Sequence, residues 1–118
     1  MKKYNIDLND SIKVNNHTLY RVIYTGEFIN AYEKKFNRKL FKKGGYIESK
    51  INIANGDFAI VQDDAIIMDE AIIYNNAIVM DKAIVMDEAI VGGTAKISGT
   101  TKISGDAIVK NISIGCSY

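Results

Sequence analysis

Few side chains in this sequence could carry out catalysis. His17 is the only histidine and Cys116 the only cysteine. A histidine acts as a general acid or base when a carboxylate or a nucleophile lies beside it. However, His17 directly follows Asn15 and Asn16, a pair typical of a tight turn between two strands. We therefore expect His17 to be a polar turn residue, Cys116 to be an incidental thiol, and the protein to use no catalytic residue, cofactor or metal ion.

Positive charge is concentrated in one short run that is interleaved with Phe36 and Phe41. The run consists of Lys34, Lys35, Arg38, Lys39, Lys42 and Lys43. Such a basic patch could hold a nucleic acid or an acidic protein surface, or it could be a solvated face. The net charge of the whole chain is only +1, so we favour the solvated face.

Acidic residues recur at a separation of 18 positions. Asp69 precedes Asp87 by this distance, and Glu70, Glu88 and Asp106 continue the same spacing. If the chain stacks with that period, these side chains form an acidic ladder. The ladder could bind a divalent cation or mimic phosphates towards a partner. We favour a hydrated surface column.

The period comes from an internal repeat. From Ala59 to Ile112 the chain reads as nine six-residue units, such as AIVMDK and AIVMDE, without an insertion. A period of six would smear apolar residues around a helix, but it suits a strand of about three residues followed by a corner. Three units close one coil, so the sequence predicts three stacked coils of a solenoid.

The side chains of each unit alternate between the inside and the outside of the coil. The first position is Ala in every unit except at Thr101, and the third is always Val or Ile. The second position is Ile in most units but Lys at Lys96 and Lys102, so it must point outward. The fifth position is always Asp, Asn or Gly, the residues that adopt left-handed backbone at least cost, and it predicts the corners.

The outward residues predict a binding surface. Stacking places Ile72, Ile90 and Ile108 on one face that is apolar along its whole length. Ile60 and Ile78 share a face with Lys96, and Ile66 and Ile84 share the third with Lys102. Strand propensity alone could explain single outward isoleucines, but we favour an interface as the explanation of a whole ladder of them. The residues bordering the ladders that we assign to this interface are Tyr74, Met80 and Met86.

Residues 1–55 differ in composition from residues 56–118. Residues 1–50 carry eleven basic and five acidic residues, whereas the rest of the chain carries four and nine. Residues 1–55 predict a hairpin around Asn15 and Asn16 and a helix over 27–39, together a cap on the solenoid end. Residues 56–118 hold the repeats and a C-terminal tail.

The repeat resembles that of the hexapeptide-repeat proteins, which are left-handed parallel β-helices. The N-terminal segments Leu19-Tyr20-Arg21-Val22 and Gly44-Gly45-Tyr46-Ile47-Glu48-Ser49 resemble a subgroup found in bacteria and their phages. Members of this subgroup are often labelled acyltransferases. Catalytic members use a histidine at a loop or coil between subunits, and His17 does not match that position.

The sequence thus predicts an all-β solenoid, a short three-coil left-handed parallel β-helix with a small mixed N-terminal cap. We expect a non-catalytic protein-binding module that forms a dimer or trimer and holds a second macromolecule, with a protein favoured over nucleic acid. The subgroup implies a phage or prophage setting, where inhibition of a host defence complex is one role. The alternatives are an acyl-CoA-dependent acyltransferase and a nucleic-acid binder that uses the basic run. No stretch has the roughly 20 apolar residues of a membrane span, so we expect a cytoplasmic protein.

Overall fold

The chain forms a parallel β-solenoid of about four turns with a mixed antiparallel sheet and one short helix at its N-terminal end. The computed structural model describes residues 2–115. The cap elements are β1 (Tyr4–Val14), β2 (His17–Tyr24) and α1 (Gly26–Phe36). The solenoid strands are β3 (Lys43–Ile47), β4 (Ile60–Val61), β5 (Ile66–Ile67), β6 (Ile72–Ile73), β7 (Ile78–Val79), β8 (Ile84–Val85), β9 (Ile90–Gly92), β10 (Lys96–Ile97), β11 (Lys102–Ile103), β12 (Ile108–Lys110) and β13 (Ser113–Ile114).

The strands stack into three faces, as the period of 18 predicts. Face A contains β3, β5, β8 and β11, face B contains β6, β9 and β12, and face C contains β4, β7, β10 and β13. Within the faces the paired strands are parallel, with Ile72 opposite Ile90, and Ile90 opposite Ile108. The predicted alignment of the outward residues is therefore confirmed.

The solenoid has about one turn more than the three coils that the sequence predicts. The additional first turn consists of β3, a parallel bridge between Ile53 and Ile73, and β4. Most of this turn precedes the hexads, so the repeat could not reveal it. A 3-10 turn at Lys50–Asn52 lies between β3 and the bridge.

The inner side of the coils is packed as the alternation predicts. The first-position alanines from Ala59 to Ala95 have 0% exposure, and the third-position side chains from Val61 to Val109 are all buried. Lys96 and Lys102 are exposed. Small and branched side chains therefore share the interior, where burial of apolar area provides the main stabilisation.

Each corner is formed by a residue in the left-handed region. All nine fifth-position residues have φ between 58° and 67°. They are Asp63, Asp69, Asn75, Asp81, Asp87, Gly93, Gly99, Gly105 and Asn111. The predicted role of this position is confirmed.

The cap joins the solenoid by extending the sheet of face A. β1 and β2 form an antiparallel hairpin around Asn15 and Asn16, and β2 pairs with β3. Helix α1 begins after Thr25, whose hydroxyl accepts the Phe28 N–H, and it ends at Asn37, where φ is 52°. The sequence predicts the helix up to residue 39, and the left-handed Asn37 ends it earlier.

Tyr24 covers the free edge of β4, which is the first strand of face C and pairs with β7 on its other side. Its hydroxyl accepts the Val61 N–H at 2.8 Å and donates to the Val61 carbonyl at 2.9 Å. A buried strand edge needs such a partner for its backbone groups. Among residues 2–115, no helix has the length and apolar character needed to cross a membrane.

Candidate functional site

The hairpin places His17 next to the corner at Asp69, which follows strand β5 of face A. The left-handed Asn15 and Asn16, with φ of 49° and 71°, form the tight turn, and His17 is the first residue of β2. Its Nδ1 lies 2.7 Å from Glu48 Oε2, and its Nε2 lies 3.4 Å from Asp69 Oδ1. His17 was expected to be a polar turn residue, but it lies between two carboxylates.

The two carboxylates are fixed by backbone N–H groups. Glu48 Oε1 accepts the Asp69 N–H at 2.6 Å, and Asp69 Oδ2 accepts the Asp87 N–H at 3.0 Å. Each acid therefore uses one oxygen in the stack of corners and directs the other towards the His17 ring. Hydrogen bonds from fixed amides hold a carboxylate in one orientation.

Asn52 positions Glu48 from inside the first turn. Its side-chain oxygen accepts the N–H groups of Glu48 and Ser49, at 3.0 and 2.9 Å. Its amide nitrogen donates to the carbonyls of Asp69 and Ala71. Asn52 has 0% exposure, so this network is rigidly enclosed.

These contacts shift the pKa values of the pair in opposite directions. The hydrogen bond to Glu48 raises the pKa of His17, and burial opposes this shift. Burial tends to raise the pKa of Glu48, but the hydrogen bonds from His17 and the Asp69 N–H lower it overall. Both shifts favour the charged forms of the two groups.

The predicted acidic ladder lies beside His17. A cleft of about 460 Å³ is lined by His17 and by four of the five acidic residues of the ladder, together with Met68 and Met86. The four acidic residues are Asp69, Asp87, Glu70 and Glu88. Asp106 is exposed and does not line the cleft. Asp69 and Asp87 also have a structural role, because Asp87 Oδ2 accepts the Gly105 N–H at 2.8 Å.

The same ladder of corner hydrogen bonds occurs at the other corners. Asp63 accepts the Asp81 N–H, and Asp81 accepts the Gly99 N–H at 2.8 Å. Asp57 accepts the Asn75 N–H at 2.6 Å. A corner aspartate thus stabilises both its own left-handed conformation and the next turn. The recurrence of Asp at the fifth position contains this signal, although only the left-handed conformation was predicted from it.

The three outward ladders differ in exposure. On face C, Ile60 and Ile78 are 1% and 8% exposed, and they belong to the same buried cluster as the cap residues Tyr32 and Leu40. The prediction that Ile60 and Ile78 lie on an exposed interface is therefore wrong, because these side chains are already covered within the chain. Met80 is half-buried against the same cluster.

Face A is partly covered by the hairpin. Leu19, Tyr46 and Met68 form a small buried cluster, against which Ile66 and Met86 pack. Ile84 is half-buried. Part of the predicted interface on this face therefore binds the cap rather than a second molecule.

Face B keeps its isoleucines at the surface. Ile72 and Ile90 are half-buried, and Ile108 is 67% exposed. Tyr74 is half-buried, and its ring stands over the backbone of Gly92 in the next turn. Ile51 is 56% exposed in the 3-10 turn that contacts β6, so it adds to the exposed apolar residues near this face.

The basic patch is built on aromatic side chains of the cap. All six of its residues are exposed. The Arg38 guanidinium lies 5.1 Å from the Phe36 ring centroid and donates to the Tyr32 hydroxyl. The Lys39 ammonium lies 5.1 Å from the ring of Phe41, which is 62% exposed.

Two cations were not anticipated, the half-buried Arg21 and the buried Lys3. Arg21 stacks on Tyr46 at 4.1 Å, pairs with Asp10, and donates to the carbonyls of Gly44 and Asp63. The hydrogen bond from Arg21 lowers the pKa of Asp10. Through these contacts, Arg21 attaches the hairpin to the corner at Asp63, the first corner of the hexad repeat.

Lys3 is the second of these cations and is buried, with 3% exposure. Its ammonium donates to the Ala54 carbonyl at 3.0 Å and to Asp57 at 3.3 Å, and it lies over the Phe28 ring. Burial lowers the pKa of Lys3 to about 8, although Asp57 opposes this shift. A terminal lysine carries no sequence signal for burial, because nothing local specifies what folds over it.

No protein-family model matches this sequence, and no curated protein matches it either. The stacked parallel strands place the chain among the parallel β-solenoids, a class consistent with a β-helix. The class is defined by architecture and does not determine a function.

Proposed function

We propose that the protein is a non-catalytic binding module that associates with copies of itself through face B and holds a second macromolecule, a protein. The observation that carries this proposal is the ladder formed by Ile72, Ile90 and Ile108. It is the one face of the described solenoid in which every outward second-position residue is Ile, whereas faces A and C change to Lys102 and Lys96.

A second copy is a suitable occupant because its ladder has the same spacing. Copies related by a rotation axis would each bury the same strip, as in closed symmetric oligomers. An isoleucine contributes about 1.5–3 kcal/mol when it becomes fully buried. Ile72 and Ile90 are already half-buried and would contribute less than this, so the three residues together would offset part of the association entropy, which costs at least several kcal/mol. This arithmetic allows a dimer or a trimer.

The resemblance to the hexapeptide-repeat, left-handed β-helices supports the trimer, because such proteins are commonly trimeric. Through the same resemblance we assign the protein to a phage or prophage, and we propose that it acts in the cytoplasm. A rigid rod that occupies a surface suits an inhibitor of a host defence complex, and this is the role we propose for the second interaction.

Substitution of Ile90, the middle residue of the face B ladder, tests the proposal. We expect Ile90→Lys to lower the mass measured by light scattering while circular dichroism stays unchanged, because Lys96 and Lys102 already occupy equivalent outward positions. Ile84→Lys, at the same hexad position on face A, is the matched control and should keep the oligomer. An Ile90→Lys protein with the mass of the unaltered protein would refute the face B interface.

A nucleic-acid binder is the second candidate, favoured by the exposed Phe41 beside Lys39. On such a surface a base could stack on the Phe41 ring while Lys39 neutralises a phosphate. The binding module we propose should not retain a labelled single-stranded DNA at physiological salt. Retention that weakens steeply with salt and is lost in Lys39→Glu would favour this candidate instead.

An acyltransferase is the third candidate, because Glu48 orients His17 in the cleft. In such an enzyme His17 would act as the general base, and an acyl-CoA would be the acyl donor. We expect isothermal titration with acetyl-CoA to give no binding heat. Thiol release from acetyl-CoA that disappears in His17→Ala would replace our proposal with this one.

A further inference from the structure

We propose that His17 and Asp69 form a binding site for one transition-metal dication, of which Zn²⁺ is the best fit, with Glu48 as the positioning residue of the histidine. The three side chains offer ligand atoms within 4.8 Å of one another. The site joins the cap hairpin to the corner at Asp69, and it uses none of the residues of the face B ladder.

The contact between His17 and Glu48 fixes which nitrogen is available. Glu48 is an acceptor when ionised, so Nδ1, at 2.7 Å from it, carries the proton. The lone pair of a neutral imidazole is then on Nε2, which faces Asp69. A carboxylate that holds the remote N–H of a metal-bound histidine is a common arrangement around zinc.

The separation of Nε2 from Asp69 Oδ1 suits a shared cation. At 3.4 Å it is longer than the usual N–H···O hydrogen bond of about 2.7–3.2 Å. Tetrahedral zinc with bonds of about 2.0–2.1 Å places a nitrogen and an oxygen ligand about 3.3–3.4 Å apart. Without a second proton or a cation, Nε2 and the carboxylate oxygen would present lone pairs to each other.

The surroundings supply further ligands and the required charge. Asp87, Glu70 and Glu88 line the same open cleft and add negative charge near the site, and waters from the cleft can complete the coordination. His17 and Asp69 have side-chain exposures of 36% and 22%, which leave the site open to an ion from solvent. Imidazole together with carboxylate selects zinc-like ions over Mg²⁺ and Ca²⁺, which prefer all-oxygen ligands.

Isothermal titration of the untagged protein with ZnCl₂ tests the site. We expect one ion per chain, with affinity at least tenfold lower for His17→Gln and Asp69→Asn, and roughly ten- to a hundredfold lower for Glu48→Gln. Asp69→Asn keeps an oxygen that can accept the Asp87 N–H, so it removes the charge with little effect on the corner. MgCl₂ should bind at least tenfold more weakly than ZnCl₂.

Two variants serve as controls. Asp63→Asn makes the same change at a corner without a histidine, and Cys116→Ser removes the only thiol in the sequence. Neither should change the zinc affinity, and melting curves without metal show whether each variant folds. Absence of binding heat, unaltered affinity in His17→Gln, or loss of binding in Cys116→Ser would each overturn the site.

Discussion

At the scale of single residues, the corners depend on a backbone conformation that few residue types tolerate. The nine fifth positions all have positive φ, and six of them are Asp or Asn rather than Gly. All four aspartates of this position, Asp63, Asp69, Asp81 and Asp87, also accept an N–H of the next turn with their side chains. Asp57, which precedes the first hexad, accepts the Asn75 N–H in the same way. The composition of this position thus reflects both conformation and hydrogen bonding.

Gly105 isolates the conformational part. Its φ is +66°, and a Cβ added there would meet no atom within 4 Å. We expect Gly105→Val to lower the free energy of unfolding by about 1–2 kcal/mol through left-handed strain alone. Gly105→Asn is the matched control and should be nearly neutral, because Asn75 and Asn111 hold the same conformation. Equal stability of the valine variant and the unaltered protein in denaturant unfolding would contradict the corner assignment.

Lys3 should make stability depend on pH. Its pKa is about 8 in the folded chain and 10.5 in the unfolded chain, so the unfolded chain binds more protons between these values. Stability therefore rises with pH in this window, by about 1 kcal/mol between pH 7 and 9. Lys3→Met, which keeps the apolar stem, should lack this rise. A constant difference in unfolding free energy between the two proteins would show that Lys3 titrates normally.

At the scale of elements, Tyr24 connects the cap to the first turn. Its buried hydroxyl serves both backbone groups of Val61, and burial raises its pKa. Without that hydroxyl, the Val61 N–H and carbonyl would remain unpaired in the interior. An unsatisfied buried group costs more than the bond itself contributes.

We expect Tyr24→Phe to destabilise the protein by about 1–3 kcal/mol in chemical denaturation, with little loss of apolar packing. Tyr4→Phe is the control, because the Tyr4 hydroxyl makes a single contact of 3.3 Å with the Lys50 carbonyl. Its effect should be smaller. If both variants lost the same stability, the closure of β4 by Tyr24 would have no special role.

The hexads were sufficient to predict the strands β4 to β12, the inward alanines, the corners and the register of the outward residues. All of these depend on local alternation and on a strict period. The first turn was missed because β3 and Ile53 lack that period, although they stack on it. The burial of Ile60 and Ile78 was missed for a related reason, since the cap that shares their cluster comes from distant parts of the chain.

The site around His17 was predicted only in part. The spacing of 18 identified Asp69, Asp87, Glu70 and Glu88 as neighbours. It could not bring His17 and Glu48 to them, because hairpin docking depends on tertiary contacts of Leu19, Tyr46 and Met68. A histidine immediately after a two-asparagine turn was the available signal, and it indicated only the turn.

At the scale of the whole molecule, residues 2–115 cover the N-terminal end of the solenoid and leave face B at their surface. The cap closes the first turn through Tyr24, Arg21 and Lys3, and it covers parts of faces A and C. Of the face B isoleucines, Ile108 is exposed and Ile72 and Ile90 are half-buried, and the exposed Ile51 lies nearby. We propose that copies of the protein associate through this face.

The mass of the unaltered protein in solution distinguishes self-association from a monomer. Light scattering across a concentration series up to tens of micromolar should give a mass of two or three times the 13.1 kDa of one chain. The fraction of oligomer should rise with concentration, as mass action requires. A mass of 13.1 kDa at every concentration would contradict self-association through face B.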